Sequence, residues 1–90
     1  MNSEVFYTKK ARTDLKSFDH DIAVRIIRKI KKYSQSKNPL IHAKKLKNLQ
    51  LGTYRFRIGN YRALFDIEKS EVKVLMILAI KHRKDIYQSI

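Results

Sequence analysis

Residues 54–62 read Tyr-Arg-Phe-Arg-Ile-Gly-Asn-Tyr-Arg, and this short run constrains the fold more than any other segment of the chain. Apolar residues alternate with arginines up to Ile58, which is typical of a β-strand with one buried face. Gly59 and Asn60 then separate this strand from a second strand-like run over residues 61–68. Glycine at the first central position supplies the positive φ of a type II′ turn, so the sequence predicts a tight β-hairpin.

A two-residue loop also predicts which residues face each other across the hairpin. It places Arg57 directly opposite Arg62, with Arg55 on the same face. Like charges in opposite positions destabilise a sheet, so this arrangement is best explained if an anion normally neutralises the arginines. The other face of the hairpin is apolar and is expected to pack against helices; it carries Tyr54, Phe56, Ile58, Tyr61, Ala63, Phe65 and Ile67.

The whole chain is strongly basic, with 21 Lys and Arg against 8 Asp and Glu and a formal net charge of +13. This exceeds what solubility requires of a small domain and predicts nucleic acid or an acidic protein as partner. No apolar run approaches the roughly 18 residues of a membrane span, and residues 1–10 lack a signal peptide's apolar stretch, so we expect a cytoplasmic protein. Without cysteines and with scattered histidines, no metal site or cofactor is expected.

The segments before the hairpin predict a strand followed by two helices. Residues 4–7 favour a short strand, and Thr8 follows as the N-cap of a helix over about 9–18. Asp19 is expected to cap a second helix that ends near Ser34, in which apolar residues recur at helical spacing. The two helices form a hairpin whose predicted buried stripe comprises Ala11, Leu15, Phe18, Ile22, Ala23, Ile26, Ile27, Ile30 and Tyr33.

Residues 40–50 read as a basic connector, part of it loosely extended. After the hairpin, a reversal at Lys69-Ser70 leads into an apolar run over 72–80 that suits a central strand buried on both faces. A two-residue loop there pairs Asp66 with Lys73, although Glu68 then opposes Glu71, which favours a longer loop. In this register the arginine face also carries Leu64, Leu75, Ile77 and Ala79.

The predicted fold is therefore a single α+β domain over residues 1–90, ordered β-α-α-β-β-β. The helical hairpin covers one face of a small, mainly antiparallel sheet. The arginine face stays open as a binding surface, and the last ten residues form a short helix or an irregular tail.

These elements together resemble the RelE/ParE superfamily of toxins from bacterial type II toxin–antitoxin systems. The resemblance rests on the hairpin at 54–62, the Lys-Leu-Lys connector at 45–47 and the closing Lys-His-Arg-Lys-Asp-Ile-Tyr at 81–87, and it covers nearly the whole chain. Its RelE branch implies a ribosome-dependent endoribonuclease that inhibits translation. Such an enzyme cleaves mRNA without a metal ion, because the ribose 2′-hydroxyl attacks the adjacent phosphate. The resemblance also implies an acidic cognate antitoxin, with operator DNA bound only through the toxin–antitoxin complex.

The same resemblance implies roles for individual residues. Arg57 and Arg62 would hold the scissile phosphate, and Arg83 would donate to the leaving group or stabilise charge. Tyr87 would act as the base or stack on a nucleobase, but a phenol with its usual pKa of about 10 needs the arginine field to ionise. His82 is the rival base, because histidine is the side chain that titrates closest to neutral pH. The expected RNA contacts are Arg55, Lys44, Lys45, Lys47 and Lys81.

Two other functions stay open at this point. ParE-like members of the superfamily are gyrase poisons, and an attenuated toxin would act mainly by binding its antitoxin and operator DNA. Arg55 and Arg57 stand where efficient nucleases of the family often carry lysine, and guanidinium does not exchange protons at neutral pH. These arginines are therefore expected to bind phosphate rather than transfer protons. His20 and His42 are expected to be solvated loop residues.

Overall fold

A computed structural model of the chain describes residues 3–46, 53–69 and 73–89, except for the side chains of residues 69 and 87–89. None of the described helices is long and apolar enough to cross a membrane. The elements in chain order are β1 (Glu4–Tyr7), α1 (Lys9–Ser17), α2 (His20–Ser34), a 3-10 turn (Pro39–His42), β2 (Ala43–Lys45), β3 (Tyr54–Ile58), β4 (Tyr61–Lys69), β5 (Lys73–His82) and α3 (Arg83–Ser89).

The five strands form one sheet in the order β1-β5-β4-β3-β2. β1 pairs with β5 in parallel, and the three other pairs are antiparallel. The predicted α+β class, the helical hairpin and the mainly antiparallel sheet are confirmed. The sheet has one strand more than expected, because β2 pairs with β3 where the sequence predicted only a loosely extended connector. A strand of three residues is too short to show an alternating pattern.

The β3–β4 hairpin has the predicted register, with Arg57 opposite Arg62 and Phe56 opposite Ala63. Gly59 has a φ of 59°, and no described non-glycine residue, Asn60 included, has a positive φ. A positive φ confined to the first central residue is the pattern of a type II′ turn. Local turn chemistry therefore determines this part of the fold.

The loop between β4 and β5 is longer than two residues, as the clash between Glu68 and Glu71 favoured. Lys69 pairs with Lys73, which leaves three residues, 70–72, between the strands; these lie outside the described residues. Glu68 then faces Val74 and avoids the clash with another glutamate. Asp66 faces Met76 rather than Lys73, and its Oδ1 accepts hydrogen bonds from the backbone N and Oγ1 of Thr53 at 2.7 and 2.6 Å.

A bulge in β5 changes which of its residues face the helices. Leu64 pairs with Ala79, but Phe65 pairs with Ile77, so Leu78 is an extra residue in this strand. An extra residue reverses the alternation beyond it. Leu75 and Ile77 are therefore fully buried in the core under the helices, and their predicted place on the arginine face is wrong.

The α1–α2 hairpin buries the apolar face of the sheet. Thr8 caps α1 as predicted, and its Oγ1 accepts a hydrogen bond from the backbone N of Ala11 at 3.2 Å. Asp19 is the N-cap residue of α2 as predicted, although its side chain makes no capping hydrogen bond. Ile27, which was predicted to be buried, is 41% exposed. The main core comprises Ala11, Leu15, Ile26, Ile30, Phe56, Ile58, Ala63, Phe65, Leu75, Ile77 and Ile80.

A second, smaller apolar cluster lies on the opposite face of the sheet. Ile86 of α3 is 1% exposed and packs with Leu46, Leu64 and Ala79. Leu64 and Ala79 do lie on the arginine face, as predicted, but α3 covers them. The C-terminal helix thus closes the apolar part of this face and leaves the arginine part accessible.

Asp14 joins α1 to β5 through a carboxylate that is 13% exposed. Its Oδ2 accepts a hydrogen bond from the backbone N of Ile80 at 3.0 Å, and its Oδ1 lies 2.6 Å from Lys10 Nζ. We expect Asp14→Ala to lower the free energy of unfolding by about 1–3 kcal/mol, because the buried N–H of Ile80 loses its acceptor. Urea denaturation followed by circular dichroism measures this loss. Lys10→Ala is the control, since an exposed ion pair contributes about 1 kcal/mol or less; equal losses would contradict the assignment.

Tyr7 provides a test of packing by pH. Burial raises the pKa of the Tyr7 phenol to about 12. An unfolded tyrosine ionises near about pH 10, so from there to about pH 12 the unfolded state loses a proton that the folded state keeps. The free energy of unfolding therefore falls as the pH rises through this range. Ultraviolet titration should show one late-ionising tyrosine, and Tyr7→Phe should remove that step; a late step that persists in the variant would contradict the burial of Tyr7.

Candidate functional site: a basic cleft

A cleft of about 620 Å³ opens on the arginine face of the sheet and extends to the end of α2 and the turn before β2. We call it the basic cleft. No carboxylate is among its described lining residues, whereas six of them are arginine or lysine, so the cleft has a strongly positive potential. The lining residues are Tyr33, Ile41, His42, Ala43, Lys44, Arg55, Arg57, Arg62, Arg83 and Lys84.

The strand register concentrates positive charge in two rows across the sheet. Arg57, Arg62 and Lys81 are cross-strand neighbours on β3, β4 and β5. Lys44 and Arg55 form a shorter row on β2 and β3. Like charges at such spacing repel one another, so a bound anion would stabilise this face of the domain.

Arg62 lines the cleft but is almost entirely buried beneath its surface. It is 5% exposed, and its Nη1 donates to the carbonyl oxygens of Gly59 and Tyr61, at 2.9 Å each. The guanidinium therefore stabilises the hairpin turn, and its positive charge lies beneath the surface of the cleft. Arg57, directly opposite, is exposed, and Arg55 is half-buried, so these two present their guanidinium groups to a ligand.

The start of α3 brings Arg83 to the hairpin from a distant part of the sequence. The backbone N of Arg83 donates to the carbonyl of Asn60 at 2.8 Å, which holds the first residue of α3 against the turn. Ile86, three residues later, anchors the helix in the second apolar cluster. The exposed side chains of Arg83 and Lys84 consequently line the same cleft as Arg55 and Arg57.

Of the predicted lysine contacts that the structure describes, Lys44 alone lines the cleft. Lys45 pairs with Tyr54, and strand alternation places it on the opposite face from Lys44. Lys81 lies across from Arg62 and is half-buried, but it is not among the lining residues. Lys47 lies outside the described residues.

Of the two candidate bases, the structure describes the side chain of His82. His82 pairs with Tyr61 and packs its ring edge-to-face against that of Tyr61, with 5.3 Å between centroids. Its Nδ1 accepts a hydrogen bond from the backbone N of Lys84 at 3.2 Å. Tyr61 packs on the helix side against Phe18, so His82 lies away from the basic cleft. Tyr87 belongs to α3, and its side chain lies outside the described part of the chain.

The cleft also contains residues that sequence reasoning missed. His42, expected to be a solvated loop residue, stacks on Tyr33 with ring centroids 4.4 Å apart and an interplanar angle of 16°. Ile41, in the same lining, is 75% exposed. The signal was weak: Asn38-Pro39 predicts a turn, but nothing in the local pattern indicates that this turn returns the chain to Tyr33.

This arrangement is suited to binding a phosphate and stabilising added negative charge. Guanidinium groups bind phosphate through paired N–H donors and keep their protons at neutral pH. The described part of the chain contains no group of His, Asp or Glu side chains arranged to hold a metal ion. The arginines of the cleft can therefore stabilise a bound phosphate electrostatically.

Comparison with known proteins agrees with this fold. Residues 5–87 match the family described as the ParE toxin of the type II toxin–antitoxin system parDE. The chain is 34% identical over 87 residues to Toxin RelG of Mycobacterium tuberculosis, and the match covers 93% of this chain and 94% of that protein.

Two solved toxin–antitoxin complexes contain similar chains. One is RelBE2 from Mycobacterium tuberculosis, with a TM-score of 0.79, 30% identity and coverage of 92% of this chain and 93% of that one. The other is RelB-RelE from Methanococcus jannaschii, with a TM-score of 0.62, 27% identity and coverage of 93% and 96%. The family match spans most of the chain, and the fold agrees over the same length. The chain therefore belongs to the RelE/ParE superfamily of toxins of type II toxin–antitoxin systems.

Proposed function

We propose that this toxin is a ribosome-dependent endoribonuclease that cleaves mRNA without a metal ion and so inhibits translation. The observation that carries the proposal is the basic cleft, in which exposed arginines from β3 and α3 converge around the buried charge of Arg62. Cations arranged in this way can bind the phosphates of single-stranded RNA. The similarity to Toxin RelG and to the RelE chain of a solved complex supports the RelE-like alternative.

The proposed reaction is an internal transesterification of RNA. The ribose 2′-oxygen attacks the adjacent phosphorus, the bond from phosphorus to the 5′-oxygen breaks, and the products are a 2′,3′-cyclic phosphate and a 5′-hydroxyl. The transition state carries added negative charge on the phosphate oxygens, and fixed cations stabilise it more than they stabilise the substrate. Arg57 and Arg55 would contact these oxygens, and Arg83 would stabilise the leaving oxygen. Arg62 is a positioning residue, because its guanidinium is bound to the turn carbonyls.

Tyr87 is the proposed base, since it belongs to α3, whose first residue is held at the hairpin turn by the hydrogen bond from Arg83 to Asn60. In the proposed site, the arginines of the cleft would favour the phenolate form of Tyr87. His82 is not proposed for this step, because its ring packs on the helix side of the sheet. The proton taken from the 2′-hydroxyl is matched by one delivered to the 5′-oxygen, which water in the ribosomal A site can supply.

A cognate antitoxin is the proposed protein partner. Both solved relatives are toxin–antitoxin complexes, and the net charge of +13 predicts an acidic partner segment. Such a segment, including an amphipathic helix, would lie over the basic cleft and neutralise the arginines. Operator DNA would then be bound through the complex rather than by the toxin alone.

Primer extension on translated mRNA tests the ribonuclease proposal. Purified ribosomes stalled with a defined codon in the A site should yield new 5′ ends within that codon when the toxin is added. The same mRNA without ribosomes should remain intact. If the toxin arrested growth and no new 5′ ends appeared in translated mRNA, the proposal would be wrong.

Inhibition of DNA gyrase is the second candidate, because the matching family is described as the ParE toxin. It predicts a DNA-damage response while translation is initially intact. A supercoiling assay with purified gyrase separates the two functions directly. Inhibition of supercoiling at toxin concentrations that leave ribosome-bound mRNA uncut would favour this alternative.

A further inference from the structure

We propose that Tyr33 and His42 form a stacking platform for an unpaired RNA base, beside the arginines that bind phosphate in the basic cleft. The ligand class, single-stranded RNA, rests on the proposed ribonuclease function. The platform adds to that function a subsite for a base, separate from the site of bond cleavage.

The geometry of the two rings carries the proposal. Their planes are inclined by only 16°, and their centroids are 4.4 Å apart. Both residues line the basic cleft. His42 is exposed, so Tyr33 covers one face of the imidazole and the other face is accessible to a flat ligand. Stacking on a planar side chain is how proteins hold bases that are not paired.

The platform is supported from the core outward. Tyr33 contacts Phe56 with 5.0 Å between ring centroids, and Phe56 stacks on Phe65 at 4.2 Å. Both phenylalanines are fully buried. Lys29 Nζ lies 5.6 Å from the centroid of the Tyr33 ring. The His42 ring is therefore supported by the packed rings behind it. Because these rings are already ordered, little conformational entropy is lost when a base binds.

Local backbone structure fixes His42 at the end of this series. The side chain of Asn38 accepts a hydrogen bond from the backbone N of Leu40 at 3.2 Å, and its carbonyl accepts one from Ile41 at 3.1 Å. Pro39 is buried at the start of the turn. Ala43, which follows His42, pairs with Phe56, so the turn precedes His42 and the sheet follows it. Both therefore hold His42 in place.

The other lining residues favour a nucleotide over a peptide. Ile41 is 75% exposed in the same cleft and offers an apolar edge to a base. Lys44 and Arg55, cross-strand neighbours on β2 and β3, lie on the same lining and can bind the backbone phosphates. An acidic peptide would use these cations but would gain little from two stacked rings. The combination of a flat platform with adjacent cations is typical of single-stranded RNA sites.

Fluorescence anisotropy with two probes tests this platform in the full chain. One probe is a labelled short oligoadenylate, and the other is an abasic ribose-phosphate strand of the same length. We expect His42→Ala to weaken binding of oligoadenylate about tenfold, because a stacked base contributes about 1–3 kcal/mol. It should leave the abasic strand almost unaffected. His42→Phe should restore binding of oligoadenylate, and His20→Ala, on the outer side of α2, should change neither.

Three results would overturn the platform. His42→Ala weakening both probes equally would show a purely electrostatic effect. His42→Phe binding as poorly as His42→Ala would show that the imidazole acts through a proton or hydrogen bond. If His42→Ala weakened binding of a polyglutamate peptide as strongly as binding of oligoadenylate, the cleft would be a peptide site. The ribonuclease proposal can fail independently of the platform. Base-dependent RNA binding without ribosome-dependent cleavage would contradict the ribonuclease proposal alone.

Discussion

Replacing Arg57 by alanine is expected to lower the rate of ribosome-dependent mRNA cleavage about 10²-fold or more. Arg57 is exposed on the basic cleft and lies opposite the buried Arg62. In the proposed reaction its guanidinium would bind the phosphate oxygens that gain charge in the transition state, and loss of one such donor costs about 10²–10³ in rate. Single-turnover cleavage of mRNA on stalled ribosomes measures the effect on the chemical step.

The matched control is Arg25→Ala, which removes the same charge from the outer side of α2. It should reduce cleavage only slightly, through a weaker overall attraction to RNA. The cleavage rate of Arg57→Lys should lie between the rates of the two alanine variants, because lysine keeps the charge but loses the paired donors of the guanidinium. Equal losses in Arg57→Ala and Arg25→Ala would show that net charge matters and that Arg57 has no specific role.

The largest expected loss of stability comes from Phe56→Ala. Phe56 is fully buried, pairs with both Ala43 and Ala63, and packs its ring between those of Tyr33 and Phe65. Truncation of such a side chain leaves a cavity and costs about 3–5 kcal/mol. For a small domain this is a large fraction of the total free energy of unfolding. Urea denaturation followed by far-ultraviolet circular dichroism measures it, since the chain has no tryptophan.

Phe6→Ala provides the comparison within the same sheet, because Phe6 is 50% exposed on the edge strand β1. It should cost about 1 kcal/mol or less, since little apolar area is removed from the core. Phe56→Ala should also weaken base-dependent RNA binding under conditions in which it remains folded, because Tyr33 loses its support. Similar losses of stability in the two variants would contradict the central position of Phe56 in the core.

Much of the candidate site was predictable from short segments, because it depends on local rules. Gly59-Asn60 specifies a two-residue turn, and the turn specifies that Arg57 faces Arg62 and shares its face with Arg55. The closing residues 81–87 pointed to Arg83 through their resemblance to the superfamily. The register of β5 against β4 was harder to predict, because a three-residue loop and the bulge at Leu78 are both compatible with an uninterrupted apolar run. That bulge moved Leu75 and Ile77 from the arginine face into the core.

The sequence by itself determined the α+β class, the superfamily, the helical hairpin and the arginine face, because alternation, helical spacing and turn chemistry act between near neighbours. Only the tertiary structure decided which residues share the basic cleft. The hydrogen bond from Arg83 to Asn60 and the burial of Ile86 join α3 to the hairpin. Packing of Tyr33 on Phe56 brings His42 to the same cleft. The pairing of His82 with Tyr61 places His82 away from it. These contacts join residues far apart in the chain, so no local pattern records them.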